Sequence, residues 1–301
     1  MVRLKFSVEL NYEVAAPGCD FIFNIHAAHT RHQRVVTEMM ELGQFLMPQV
    51  HTDATTGNRY MRLKAEPGRL RLRYSAIVEL THHVGATESI SEVPVARLPA
   101  DVLTYLYPSR YCQSDRLYEV ANKEFGQLPQ GYGRVRAICE WVSKHVEFKS
   151  ATTNASTSAL DTLGERVGVC RDFAHLMIAV CRALNIPARF TTGIDFGADP
   201  ILGPPDFHAY VEVFLGDRWY LFDPSGTAIP MGLMRFGTGR DAADVSFATL
   251  FGTVNAAPPR IDITAIEDAA TGALLPWRCP DALSTDDGIG MLVGTRLVSA
   301  V

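Results

Sequence analysis

In Gly168-Val169-Cys170-Arg171-Asp172-Phe173-Ala174-His175-Leu176-Met177-Ile178-Ala179-Val180-Cys181-Arg182-Ala183-Leu184, apolar residues recur at Phe173, Leu176, Met177, Val180, Cys181 and Leu184. That is the spacing of one buried helix face. The predicted helix starts at Cys170 and ends before Asn185-Ile186-Pro187, a stop signal, after which Ala188 to Ile194 reads as a strand. Cys170 leads the face. A cysteine in a first helical turn meets unpaired backbone N–H groups and the positive end of the helix dipole, both of which favour thiolate over thiol. Gly168 lets the incoming backbone pass closely, and the Cys170 N–H is placed as a donor to a developing oxyanion. Cys170 is therefore a candidate nucleophile, although taken alone it also reads as a small buried hydrophobe.

A second segment bears on that choice. Phe207 to Leu215 and Arg218 to Asp223 are strand-like and flank Gly216-Asp217, a common hairpin turn pair. In that hairpin Leu215 faces Arg218, so Tyr210 faces Asp223 and His208 lies diagonal to it. Diagonal neighbours on one sheet face have Cβ atoms roughly 7 Å apart, within reach of His and Asp side chains. The carboxylate then orients the imidazole and leaves one ring nitrogen to take a thiol proton, the general logic of an activated nucleophile. The competing reading is a surface hairpin with an unrelated His and Asp.

Working outward, Val2, Leu4, Phe6, Val8, Leu10, Tyr12 and Val14 form an unbroken period-2 series, and Leu70 to Leu80 a second one with Arg69, Arg71 and Arg73 on its other face. Residues 1–95 are expected to form a β-sandwich. After Pro99 the period turns helical, clearest at Tyr132, Val135, Cys139, Val142 and Val146, so residues 96–301 are expected to form an α+β domain with a C-terminal extension. That extension carries short strand-like pieces at Ile261 to Ile266 and Met291 to Val298.

The 301 residues are 47% hydrophobic and 20% charged, a globular balance that excludes a disordered chain. A net charge of -5 argues against nucleic acid as a partner. The N-terminus alternates charge and apolarity, and no apolar run reaches membrane-spanning length, so a soluble cytoplasmic protein without a membrane partner is expected. The 6 cysteines include no Cys-x-x-Cys pair and are too scattered for a disulfide framework. Cys139 and Cys181 sit on apolar helix faces as core residues, whereas Cys19, Cys112 and Cys279 fall in loop-like stretches that leave exposure open, and they lack a His and Asp partner pattern. His26, His29 and His32 have a repeated spacing but follow a strand into a loop, so they are not read as metal ligands. Asp172 is read as a structural carboxylate in a first helical turn. Arg110 and Tyr111 are open to a substrate-cleft role or to packing.

Five ordered segments carry a wider likeness: Ser158-Ala-Leu-Asp-Thr-Leu, Gly168 to Leu176, Leu184-Asn-Ile-Pro-Ala-Arg, Asp206-Phe-His208-Ala-Tyr-Val-Glu-Val and Trp219-Tyr-Leu-Phe-Asp223-Pro. Here the chain resembles the transglutaminase-like superfamily, in particular bacterial members provisionally labelled cysteine proteases, over roughly residues 100 to 255. The resemblance implies a transglutaminase-like, cysteine-proteinase core preceded by a β-rich companion domain. It also implies that Cys170 is the nucleophile, His208 the general base and later acid, and Asp223 the residue that orients His208. The chain departs from calcium-dependent crosslinking members, many of which carry Trp beside the nucleophile where Arg171 stands here, and it lacks an acidic calcium loop and the papain-type Cys-Gly-Ser-Cys-Trp sequence. The expected activity is cleavage or transfer of amide or isopeptide groups through a thioester, as a cysteine peptidase or amidohydrolase acting on a peptide, protein or small amide. No cofactor and no metal are expected. The alternatives are a non-catalytic interaction module and a crosslinking transglutaminase.

Overall fold

The structure is a computed structural model that describes residues 1–198 and 205–286. Its strands in the first part of the chain are β1 (Val2–Val14), β2 (Cys19–Phe23), β3 (Gln33–Leu42), β4 (Gln49–Thr52), β5 (Arg59–Ala65), β6 (Gly68–Leu80) and β7 (His83–Gly85). The middle holds α1 (Tyr118–Phe125), α2 (Tyr132–His145), β8 (Glu147–Phe148), α3 (Ala159–Glu165), β9 (Val167–Gly168), α4 (Cys170–Ala183), β10 (Ala188–Asp195), β11 (His208–Leu215) and β12 (Arg218–Phe222). The last part holds β13 (Leu233–Gly239), β14 (Ala248–Phe251), β15 (Val254–Ala256), β16 (Arg260–Ala265) and β17 (Ala282–Asp286).

The two period-2 series pair with each other along their whole length, Val2 against Leu80 through Val14 against Gly68. Their inward residues, including Leu4, Phe6, Leu72 and Tyr74, meet Phe21, Phe23 and Met61 of the second sheet in one buried cluster. This is the expected sandwich, since alternation gives each sheet one apolar face that must be covered. Its strands, however, come from both ends of the described chain. β15 and β16 pair with β1, and β14 pairs with β2. The strands at 248–265, expected in a C-terminal extension of the second domain, thus complete the first. Conversely β7, inside the expected N-terminal domain, pairs with β17 of the other sheet. The reason is that β1 and β2 each have an edge with unpaired N–H and C=O groups, which a later strand satisfies. The strand-like piece at Met291 to Val298 lies outside the described residues.

Outside the sandwich, a six-stranded sheet, the second sheet from here on, runs β13-β10-β11-β12-β17-β7. On β11, Ala209, Val211, Val213 and Leu215 point to a cluster that also holds Phe173, Leu176, Met177, Val180 and Cys181 of α4. Each large apolar side chain buried there contributes about 1.5–3 kcal/mol, so the helix has one stable seat on the sheet. The start of α4 is fixed by Asp172, whose Oδ2 accepts the Val169 N–H at 3.0 Å. A Cβ at Gly168 would sit 2.8 Å from the Asp172 Cβ, so this close approach requires glycine.

The other face of the sheet carries buried charge. Glu212, fully buried, pairs with Arg189 at 2.6 Å and with Arg235. Asp286 pairs with the same two arginines at 2.5 and 3.3 Å, and Trp219 covers the Arg189 guanidinium at 4.1 Å. Against β13, Gln33 and Asn58 act as surrogate strand partners: Gln33 donates to and accepts from the Arg235 backbone at 2.8 and 2.8 Å, and Asn58 does so with Thr238 at 2.8 and 2.9 Å. Cys19 and Cys112, whose exposure the sequence leaves open, are buried: Cys19 begins β2 on its inward face, and Cys112 packs under α4 in the helical cluster. Among the described residues no helix is long and apolar enough to cross a membrane.

Removing the central anion would leave guanidinium groups buried without compensation. Glu212→Gln is therefore expected to lower the unfolding free energy by about 3–5 kcal/mol in urea denaturation. A loss below about 1 kcal/mol would mean that Asp286 alone neutralises both arginines.

Candidate active site

Cys170, His208 and Asp223 reach one place from three elements. Cys170 opens α4 and is partly exposed; its Sγ lies 3.9 Å from the carbonyl oxygen of Phe207, the residue before β11. His208 opens β11, and its side chain is hydrogen-bonded to that of Cys170. Across the sheet it faces Gly193 of β10, where a Cβ would stand 2.1 Å from the Met234 carbonyl oxygen, so no side chain stands directly opposite the imidazole. The β11–β12 ladder pairs Leu215 with Arg218 through Val211 with Phe222, the register that the Gly216-Asp217 turn predicts. One step beyond that ladder is Asp223, whose Oδ1 lies 3.5 Å from His208 Nε2.

The local chain holds that carboxylate still. Asp223 Oδ1 accepts from the Ser225 N–H at 3.1 Å and hydroxyl at 2.6 Å, while Oδ2 accepts from the Ala228 N–H at 3.2 Å. Burial would raise its pKa, but His208, Ser225 and the Ala228 N–H together hold it below the ordinary carboxylate value. Burial likewise opposes a charge on His208, yet the Cys170 sulfur and Asp223 outweigh it and raise the imidazole well above its usual pKa.

The sequence reading missed Asp195 and Tyr210. Asp195 ends β10 on the sheet face that carries His208, with Oδ1 3.8 Å from His208 Nδ1. It is 5% exposed, and among the described residues its Oδ2 has no hydrogen-bond partner. Burial pushes its carboxyl up to about 6, His208 pulls the other way and Asp223 reinforces the rise. The Tyr210 ring stands edge-on to His208 with centroids 4.5 Å apart, and its buried hydroxyl lacks a partner among the described residues. Burial, then the nearby carboxylates, pushes that phenol well up. The available signal was a carboxylate closing an apolar strand, but its nearness to His208 arises from β10–β11 pairing between distant segments.

The remaining candidates are structural. His175, fully buried on α4, accepts the Ala242 N–H at 3.2 Å and stacks on Tyr111; burial and two arginines keep it neutral. Tyr111 packs beneath the surface, its hydroxyl donating to the Ala155 carbonyl at 2.6 Å, while Arg110 lies over its ring beside an open cleft. Cys181 is buried in the helical core, and Cys139 packs at its margin. Among the described residues no group of His, Cys, Asp and Glu is arranged to hold a metal ion.

A helix-borne cysteine beside a strand-borne histidine and a following aspartate, on a helix-covered antiparallel sheet, defines a transglutaminase-like fold. Comparison with known proteins agrees. Residues 119–224 match the family model for the transglutaminase-like superfamily core, and residues 2–101 match that for the bacterial transglutaminase N-terminal domain. A crystal structure from Cytophaga hutchinsonii, provisionally described as a cysteine protease, is 38% identical, with a TM-score of 0.85 and coverage of 94% of this chain and 97% of that one. An uncharacterized protein of Mycobacterium leprae is 29% identical over 146 residues, 47% of this chain and 52% of that protein. One from Mycobacterium tuberculosis is 32% identical over 122 residues, 37% and 39% of the two chains. The match thus spans about half or less of these relatives' length. The chain belongs to the transglutaminase-like superfamily.

The raised Asp195 carboxyl has a consequence for stability. The folded state holds this proton more tightly than the unfolded state does, so stability falls as pH rises from about 4 to about 6 and stays lower above that. Asp195→Asn should therefore unfold at nearly the wild-type temperature at pH 4 and at a higher one at pH 7.5, with an advantage of at most about 3 kcal/mol. Scanning calorimetry at both values checks this; a variant less stable than wild type at pH 7.5 would contradict the burial penalty.

Proposed function

We propose that the chain is a thiol enzyme that cleaves amides or transfers their acyl groups through a thioester on Cys170, with hydrolysis as the preferred outcome. The observation that carries this reading is the convergence of a partly exposed thiol, an imidazole held positive and a fixed carboxylate at one helix–sheet junction. Packing alone does not call for all of these roles together. The Cytophaga hutchinsonii relative, provisionally a cysteine protease, supports the same class.

With Asp223 beside Nε2, His208 exchanges the proton with the thiol to which its side chain is hydrogen-bonded. The thiolate adds to the carbonyl carbon, giving a tetrahedral oxyanion for which the Cys170 N–H, at the positive end of α4, would be a donor. The imidazolium then gives its proton to the departing amine as the C–N bond breaks, leaving a thioester. In the second half a water loses a proton to His208 and attacks the thioester carbon; the C–S bond breaks, releasing a carboxylic acid and restoring the thiolate–imidazolium pair. Asp223 keeps the ring oriented and opposes its positive charge throughout. The substrate would be a peptide, protein or small amide, and the steps call on no metal or cofactor. A cytoplasmic location fits the same reading.

Three substitutions test it, using release of amine from a panel of peptides, isopeptides and small acyl donors. Cys170→Ala should abolish turnover while leaving the thermal midpoint nearly unchanged, and His208→Gln should lose nearly all turnover. Asp223→Asn should lower kcat several hundredfold or more, on the order of 3–5 kcal/mol. The double variant with His208→Gln should be scarcely worse than His208→Gln alone, since the orienting group then has nothing to orient. Near-wild-type turnover in Cys170→Ala would end this reading, and multiplying losses in the double variant would mean that His208 and Asp223 act independently.

A further inference from the structure

We infer that Asp195 is a second positioning carboxylate for His208, holding the imidazolium from its Nδ1 side while Asp223 holds it from its Nε2 side. As a statement about turnover this rests on the acyl-transfer reading above; as a statement about the charge on His208 it does not. The geometry supports it in three ways. Asp195 Oδ1 and Asp223 Oδ1 stand 3.8 and 3.5 Å from opposite nitrogens of one ring. Asp195 is nearly fully buried, with one oxygen unpartnered among the described residues, whereas Asp223 has three donors from its own loop. A desolvated carboxylate with so little support is expensive, and the imidazolium is the cation that offsets it. Finally, the strand opposite His208 offers Gly193 instead of a side chain, which leaves the space between ring and carboxylate open.

The groups facing this pair are known from each packed element. α4 presents Cys170, β11 presents His208 and Tyr210, the turn after β12 presents Asp223, and the segment before β17 presents Arg278, whose charge bears on Tyr210. The interaction between Asp195 and His208 is reciprocal: an imidazolium that eases ionisation of Asp195 is itself stabilised when Asp195 ionises. Asp195 is pushed up to about 6 by burial, so it gains its charge as pH rises through that value. Above that pH two carboxylates flank the ring and the thiolate–imidazolium pair is supported from both sides. Below it, Asp195 becomes a neutral neighbour and one support is lost.

The test compares full-length wild type, Asp195→Asn and Asp195→Ser, the last guarding against an effect peculiar to the amide. Histidine-selective NMR follows the His208 ring through its titration, and iodoacetamide alkylation of Cys170 is timed between pH 5 and 9. Wild-type alkylation is expected to inflect near pH 6, and both variants are expected to lose that inflection and to lower the His208 midpoint by about one pH unit. A merely structural carboxylate would move the unfolding temperature and not these two readouts. Equal His208 midpoints in all three proteins would overturn the inference even if the wild type turns over amides. A lowered midpoint in a protein whose Cys170→Ala variant keeps its activity would sustain the carboxylate pair and sink the acyl-transfer reading instead.

Discussion

The seating of α4 on β11 is the constraint from which the site follows. The helix buries Phe173, Leu176, Met177, Val180 and Cys181 against the face of β11 formed by Ala209, Val211, Val213 and Leu215. Interiors pack at crystal-like density, so a sub-ångström slide of such a helix meets resistance from many contacts at once. Its first residue is therefore delivered to a fixed point, 3.9 Å from the carbonyl before His208. Gly168 and the Asp172 cap set the approach of the chain into that residue. A functional site needs its groups held to within about half an ångström, and apolar burial is what fixes the start of α4 here.

On the opposite face of the sheet, three carboxylates show how differently burial is compensated. Glu212 is offset by two guanidinium groups and serves stability. Asp223 is offset by two donors from Ser225, the Ala228 N–H and His208, which together hold it ionised. Asp195 has the least compensation and is the one whose proton is held into the neutral range. The trend follows from counting donors: each hydrogen bond to a charged group contributes about 1.5–3 kcal/mol against a desolvation cost of several, so one longer contact to His208 does not close the gap. An acid left in that state beside an imidazole is a tunable charge, which neither of its neighbours can be.

Much of this was legible locally. The alternation of β1 and β6 and the helical period of α4 are driven by burial of one face, and that signal lies within a dozen residues. The Gly216-Asp217 turn fixed the β11–β12 register, so the closeness of His208 and Asp223 was available before any coordinates. Asp195 was not, because what makes it unusual is pairing between β10 and β11 across the intervening residues 196–207. The same limit explains the cysteines: Cys19 was set beside Pro17 and Gly18, which signal a loop, but its side chain faces inward from the first position of β2. Likewise nothing local marks β14, β15 and β16 as partners for β2 and β1, since edge complementarity is a property of two distant segments.

That long-range pairing binds the sandwich to the site. β13 flanks β10 on the side away from β11, and its outer edge is met by the side chains of Gln33 and Asn58 and by the Ala28 N–H, which donates to Arg235 at 2.9 Å. An uncovered β13 would offer its backbone to water or to another chain, and its pairing with Asp195 through Leu233 would loosen. Gly237 permits the contact, because a Cβ there would lie 2.8 Å from the Asn24 amide nitrogen and 2.9 Å from the Asn58 oxygen. The N-terminal sheets are thus a structural wall of the sheet that carries His208. Because β14, β15 and β16 close those sheets from beyond β13, the chain must traverse the second sheet before the first is complete. The two units therefore share their strands and stabilise each other, and the alignment of Asp195 with His208 depends on both.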